Sequence, residues 1–294
     1  MQLSGIAVIL SRIYKQAIVL MFRTSFFTVV IMFIACISVS CGRNTKATTD
    51  NLGMEIDSIT VDTAVSLGNE TNAPTCKINL SIKYFKGGKH ARMINDTLLR
   101  NGVLTPDYLS LSNESLSPVH AVDSFVRRFL SDYREEYGRM YRSDREHAAS
   151  YNYEYTVKTD VRSNGEDIMT YIASVYINGG GTQGTHQTLA LNFNVKTGKM
   201  LRLSDIFVPG HEQGLKEAIV EQLYDDYDAD NIEELNEKTI FANIDIYAPE
   251  NFIIGEDDIT FIYCENEIAC RDMGEIRVTI PISDLKKLIR KDYE

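Results

Sequence analysis

The chain has 294 residues, with 41 acidic side chains against 30 Lys and Arg and a formal net charge of −11. That excess of acid excludes a nucleic-acid partner, because phosphate recognition rests on clustered cations. A hydrophobic fraction of 44% with 10% aromatics belongs to a chain that buries a core, long enough for one large domain or two small ones.

Residues 25–40 (SFFTVVIMFIACISVS) carry no charge; Arg23 precedes them and Cys41-Gly42-Arg43-Asn44 follows. A basic flank, an apolar core and small residues before the break define a secretory signal, slightly short for a membrane span of about 20 residues. Met21 stands two residues before the basic flank and is a second candidate start. Cleavage before Cys36 would leave 37–40 as a stray apolar tail, so Cys41 is the better boundary. Residues 42–74 are rich in Thr, Asn, Asp and Ser and hold no aromatic. They read as a flexible tether with a reach of about 30 Å.

From Thr75 the pattern becomes that of folded structure. Cys76, Ile78, Leu80, Ile82 and Tyr84 alternate with polar residues, as in a half-buried strand. Ser117-Pro118 supplies a helix cap and first residue. Behind it Val122, Phe125, Val126, Phe129, Tyr133, Tyr137 and Met140 recur at three- and four-residue spacing, predicting a long amphipathic helix. Tyr151, Tyr153, Tyr155, Val157 and Val161 then alternate up to Asn164-Gly165, a strong hairpin signal, with a return strand over 168–177. A glycine-rich loop spans 178–186 (NGGGTQGTH), and a strand covers 188–195. Leu215, Ala218, Ile219 and Leu223 mark a second helix, strands follow near 259–264 and 275–280, and Ser283 is expected to cap a final helix bearing Leu285, Leu288 and Ile289. Mixed order with hairpins and no repeated βαβ unit gives an α+β fold: antiparallel sheets packed against amphipathic helices. The expected divisions are a signal (1–41), a tether (42–74) and two intimately associated subdomains (75–187 and 188–294).

Few residues carry chemistry. Asp226, Asp228, Asp230 and Glu237 occupy positions 1, 3, 5 and 12 of a calcium-loop pattern, but Asn231 replaces its turn glycine and Glu233 its apolar eighth residue. Calcium is therefore a weak candidate. Ser283 and Lys286 with Lys196-Thr197-Gly198 imitate the SxxK and KTG boxes of penicillin-binding enzymes in reversed order, so no catalytic residue is assigned. No histidine pair has zinc spacing. Cys264 and Cys270, six residues apart, are expected to form a disulfide in an oxidising compartment, and Cys76 to be a buried small hydrophobe.

Two resemblances add to this reading. Ser38-Val39-Ser40-Cys41 resembles the lipobox of bacterial lipoproteins, with Ser38 in place of the usual Leu, which implies acylation of Cys41 and a membrane anchor on the outer side of a bacterial membrane. The loop and strand at 176–186, then LNFNVKTGKMLRLSDIF, then IRVTIPISDLKKLI resemble the RsiV-like domain, named from a lysozyme-binding anti-sigma factor. The stretch 75–177 is similar to the companion domain of a peptidoglycan deacetylase (PdaC-like). The resemblance implies a non-enzymatic extracytoplasmic binding module for a lysozyme-like cationic protein or cell-wall peptidoglycan. Its ligand loop would be Gly179, Gly180, Gly181, Thr182, Gln183, Gly184 and His186. The loop departs from the family's shorter GGAH form, and Asn194 replaces a frequent Asp. About 23 residues precede the apolar segment, too few for a sigma-binding region. The alternative is a cell-envelope hydrolase, which a convergence of acid, base and nucleophile in one cleft would favour.

Overall fold

The computed structural model describes residues 53–108, 116–164 and 167–293, all within one compact unit, Ala47–Glu294. The signal segment, Cys36, Cys41, the first part of the expected tether and Gly165 lie outside the described residues.

The fold class is α+β, with a six-stranded and a three-stranded sheet. In the larger sheet, strands β1 (Glu55–Ser66), β2 (Thr75–Lys86), β3 (Tyr153–Asn164), β4 (Ile168–Asn178), β5 (Thr185–Asn194) and β6 (Lys199–Leu201) lie in sequence order. All neighbours are antiparallel except β2 and β3. That parallel pair is joined by helices α1 (Ala91–Arg100) and α2 (Pro118–Ser143), which cover the sheet's inner face. The alternation in β2 places Cys76, Ile78, Leu80 and Ile82 in the core beneath α2, whose Val122, Phe125, Phe129 and Tyr133 are buried on them. Ser117 caps α2 by accepting from the His120 N–H. Helix α1 is absent from the sequence expectations. Its buried Asn95 acts as a clamp, accepting from the Phe85 N–H at 2.9 Å and donating to the Phe85 carbonyl at 2.7 Å.

Strand β1 corrects the reading of 42–74 as a tether. Twelve residues from Glu55 to Ser66 pair with β2 without a slip in register. Ile59, Val61 and Val65 lie on the core but stay half-buried. Because an edge strand buries only one side, its polar residues survive and its composition imitates a linker.

The larger sheet continues through β6 to Leu201, so the change of core falls there and not after Gln187. A second core is built by α3 (Leu203–Ile206), α4 (Glu212–Tyr227), α5 (Ile232–Glu237), strands β7 (Phe252–Ile254), β8 (Asp258–Tyr263) and β9 (Ile276–Pro281), and α6 (Ile282–Leu285). Leu215, Ile219 and Leu223 of α4 are fully buried. The final helix is a single turn, and the Ser283 hydroxyl donates to Asp284 Oδ1 instead of capping it. Leu288 and Ile289 follow outside the helix, where Ile289 bridges to Phe207.

The two sheets are stitched by asparagines. Asn192 Nδ2 donates to the Phe252 carbonyl at 2.7 Å, while its Oδ1 accepts from Thr170 Oγ1 at 2.7 Å. Asn164 Nδ2 donates to Thr170 Oγ1 at 3.0 Å and to the Ile254 carbonyl. Asn251 completes the seam: its Oδ1 accepts from the Ala190 N–H at 2.8 Å and its Nδ2 donates to the Thr188 carbonyl at 2.7 Å. Its amide thereby replaces a neighbouring strand along the part of β5 that β6 does not reach. Beside these bonds Ile172, Ala190, Ile253 and Ile262 form a small apolar layer.

Candidate functional site

The glycine-rich loop joins β4 to β5. Gly180 has φ +81° and approaches the backbone of Ser150 so closely that a Cβ would stand 2.0 Å from its carbonyl oxygen. A Cβ on Gly184 would stand 2.3 Å from the Tyr176 ring. At Gly180 the backbone leaves room for glycine alone, while a side chain at Gly184 would have to displace the Tyr176 ring. Two side chains from a turn 79 and more residues away pin the loop's return. Glu265 Oε2 accepts from the His186 N–H at 2.8 Å, and its Oε1 takes Arg271 Nε at 2.7 Å. Arg271 also donates through Nη2 to the Gly184 carbonyl. The His186 N–H, followed by Arg271, holds the Glu265 carboxyl below the usual carboxylate range against the opposing effect of burial. Between these fixed points Gly181, Thr182, Gln183 and His186 remain exposed. The His186 ring packs against its cross-strand partner Tyr176, with centroids 4.7 Å apart.

The resulting surface is a rigid polar loop beside an aromatic pair, at the end of the sheet face that α1 and α2 leave uncovered. It can contact a macromolecule without a large ordering cost, since the loop's shape is already set. Glu265, Arg271 and the Asn251 clamp were not anticipated from the sequence. Glu265 lies in the stretch read there for its cysteines, and Arg271 directly follows it.

The disulfide expectation is corrected. Cys264 and Cys270 are free thiols. Cys264 is turned into the seam, donating to the Thr188 carbonyl at 3.5 Å, and burial pushes its thiol up to about 11. Cys270 is exposed at the start of a short 3-10 turn. Cys76 is buried as expected, and its thiol is pushed up to about 12 by burial.

The calcium loop is likewise not assembled. Asp226 Oδ1 accepts from Gln222, Asp228 is the left-handed cap of α4 (φ 46°), and Asn231 is extended and caps α5 by accepting from the Glu234 N–H. The Asp230 N–H is taken by Glu234 Oε2, and Glu237 closes α5. Two helix ends use the acids that a calcium loop would need, and among the described residues no three His, Cys, Asp or Glu side chains gather to hold a metal ion.

Two clefts flank the seam. One, beside the edge of β5, is lined by Arg100, Arg202, Tyr247, Glu250 and Glu267. Its carboxylates have structural partners: Glu267 accepts from the Tyr247 hydroxyl and the Cys264 N–H, and Glu250 from the Leu203 N–H. The other, about 890 Å3, contains Asp167, Glu256, Asp257, Ser283, Lys286 and Asp292. Lys196 of the KTG-like turn is paired with Asp167 at 2.6 Å, and Ser283 with its neighbour Asp284. Asn194 holds that turn, its Oδ1 accepting from Thr197 N–H and Oγ1 at 3.0 and 3.1 Å.

Residues 204–283 match a family model described as a protein of unknown function (DUF3298). Among solved structures, the chain is similar to a member of that family from Bacteroides fragilis NCTC 9343, with 23% identity, a TM-score of 0.74 and coverage of 82% of this chain and 96% of that one. It is also similar to a DUF3298 family protein from Pseudomonas aeruginosa PAO1, at 15% identity and a TM-score of 0.55, over 82% and 98% of the two chains. These similarities establish a shared fold. No curated protein matches the sequence.

Proposed function

We propose that the chain is a cell-envelope lipoprotein, anchored through Cys41, whose folded part is a non-enzymatic binding module for a basic, lysozyme-like protein. The observation that carries the reading is the loop at 179–186, fixed by Gly180, Gly184, Glu265 and Arg271 while its tip stays exposed. Conformationally fixed loops on a rigid scaffold are where recognition residues concentrate. The RsiV-like resemblance supports the ligand class, and the net charge of −11 supports capture of a cation by electrostatic steering. The structural employment of Glu250, Glu267 and Ser283 disfavours the hydrolase alternative.

Calorimetry of a soluble form beginning at Thr45 tests the ligand. Heat is expected with lysozyme at low salt, weakening at physiological ionic strength, and Gly180→Ala should weaken binding while circular dichroism stays native. Heat with peptidoglycan fragments and none with lysozyme would transfer the module to cell-wall glycan. Release of soluble sugar from peptidoglycan would instead revive the hydrolase. Anchoring is tested separately: a palmitate analogue should label the wild type and not Cys41→Ser, and equal labelling would refute the anchor.

A further inference from the structure

We propose that the outer flank of α4 is a docking groove for a cationic amphipathic peptide segment, a site separate from the loop at 179–186. The charge of the chain is divided unevenly. Residues 203–294 hold 23 acidic side chains against 8 Lys and Arg, whereas residues 1–202 hold 18 against 22. The negative field therefore belongs to the second core, and a basic partner is steered toward that half.

Helix α4 buries one row of side chains in this core, Leu215, Ile219 and Leu223. The neighbouring row at the same four-residue spacing, Lys216, Val220 and Tyr224, is only half-buried. Asp245 and Ile246 form an opposite wall, and the space enclosed is a groove of about 570 Å3. Its apolar floor is Val220, Tyr224 and half-buried Ile246, and its exposed rim is Glu217, Glu221 and Asp245. Lys216 is the one cation among the lining residues. Glu217 accepts from Gln213 at 2.8 Å, and among the described residues no Lys or Arg pairs with Glu217, Glu221 or Asp245.

Charge and polarity select the occupant. Apolar floor between unpaired carboxylates is matched by apolar side chains flanked by Lys or Arg. The chain's own remaining stretches do not supply them. Residues 109–115 (LSLSNES) carry one acid and no cation, and residues 42–52 (GRNTKATTDNL) have no large apolar side chain before Leu52. Residues 1–40 leave with the signal on the reading above. The occupant is therefore a segment of another molecule, a cationic peptide with an apolar face.

The soluble form beginning at Thr45 keeps the whole compact unit and can be titrated without detergent. The probe is a fluorescent peptide of Lys and Leu at amphipathic helical spacing, followed by anisotropy at low salt. It should bind, and a peptide of the same composition in scrambled order should bind far less. E217K/E221K should weaken binding about tenfold with unchanged circular dichroism. E256K/D257K alters the net charge equally in the cleft beside Ser283, and should change binding less than about twofold. Val220→Thr adds a hydroxyl to the floor and should cost about fourfold. Gly180→Ala should have no effect, which separates this result from the outcome with lysozyme. No binding, equal binding of the scrambled peptide, equal losses from the two charge reversals, or indifference to Val220→Thr would overturn the proposal.

Discussion

Replacing Asn192 by Ala tests whether the asparagine seam holds the two sheets together. Asn192 is 1% exposed and Thr170 is fully buried, so neither can turn to water when its partner is lost. The substitution strands the Phe252 carbonyl and removes the acceptor of the Thr170 hydroxyl. Thr170 keeps only the donation it receives from Asn164. A buried polar group left without its partner costs about 1–3 kcal/mol, and two groups are affected here, one of them partly compensated. The expected loss is about 2–4 kcal/mol, a large share of the roughly 5–15 kcal/mol typical of whole domains. Urea unfolding followed by circular dichroism should show a lower midpoint at an unchanged slope. Asn194→Ala is the control. Its side chain serves an exposed turn, and its loss should cost no more than about 1 kcal/mol. Equal effects from the two substitutions, or a loss under about 0.5 kcal/mol for Asn192→Ala, would refute the view that buried amides stitch the sheets.

Two further predictions concern titration and thiols. Glu265 has a folded-state pKa below its ordinary value, so it stabilises the fold above its unfolded pKa of about 4.3, and that contribution disappears as pH falls through the lower folded value. Glu265→Gln should therefore flatten the acid limb of the stability curve, and an unaltered limb would show that the loop clasp contributes nothing. In the soluble form beginning at Thr45, a disulfide reagent at pH 8 should modify exposed Cys270 and spare Cys76 and Cys264. Thiols raised to about 12 and about 11 hold little thiolate at that pH, and fast reaction of all three would contradict their burial.

The parts of this fold legible in the sequence are those with a clean period and strong punctuation. Ser117-Pro118 and the three- and four-residue spacing behind it located α2, and the tyrosine alternation up to Asn164 located β3. Strand β1 was hidden because an edge strand that half-buries Ile59, Val61 and Val65 has a linker's polarity. Helix α1 carries a helical period in Ala91, Ile94, Leu98 and Leu99, but it is only ten residues long and starts without a side-chain cap, so it lacks the punctuation that marks α2. The calcium pattern misled because it counts carboxylates and ignores dihedral angles: the left-handed residue is Asp228, while Asn231 is extended. In the loop the glycines were legible from composition. Glu265 and Arg271 were not, since their role depends on a contact across 79 and 87 residues.

That long-range dependence has a consequence for the family-matched segment, 204–283. It carries Asn251, Glu265 and Arg271, which reach out of it to Thr188, Ala190 and His186 of the preceding sheet and to Gly184 of the loop before β5. The Phe252 and Ile254 carbonyls, in turn, are satisfied by Asn192 and Asn164 of that sheet. Its own core is closed by Leu201 and Leu203 before the segment and by Leu285 and Ile289 after it. Cut out alone, the segment would expose the undersides of β7 and β8 and lose four core side chains, each worth about 1.5–3 kcal/mol when buried. The sum of these losses is comparable to the stability of a whole domain. A fragment 204–283 should therefore show no cooperative urea transition, whereas 47–294 should unfold in one. A sigmoidal transition in the fragment would mean that the second core is self-sufficient, and that the seam positions the loop without supporting the fold.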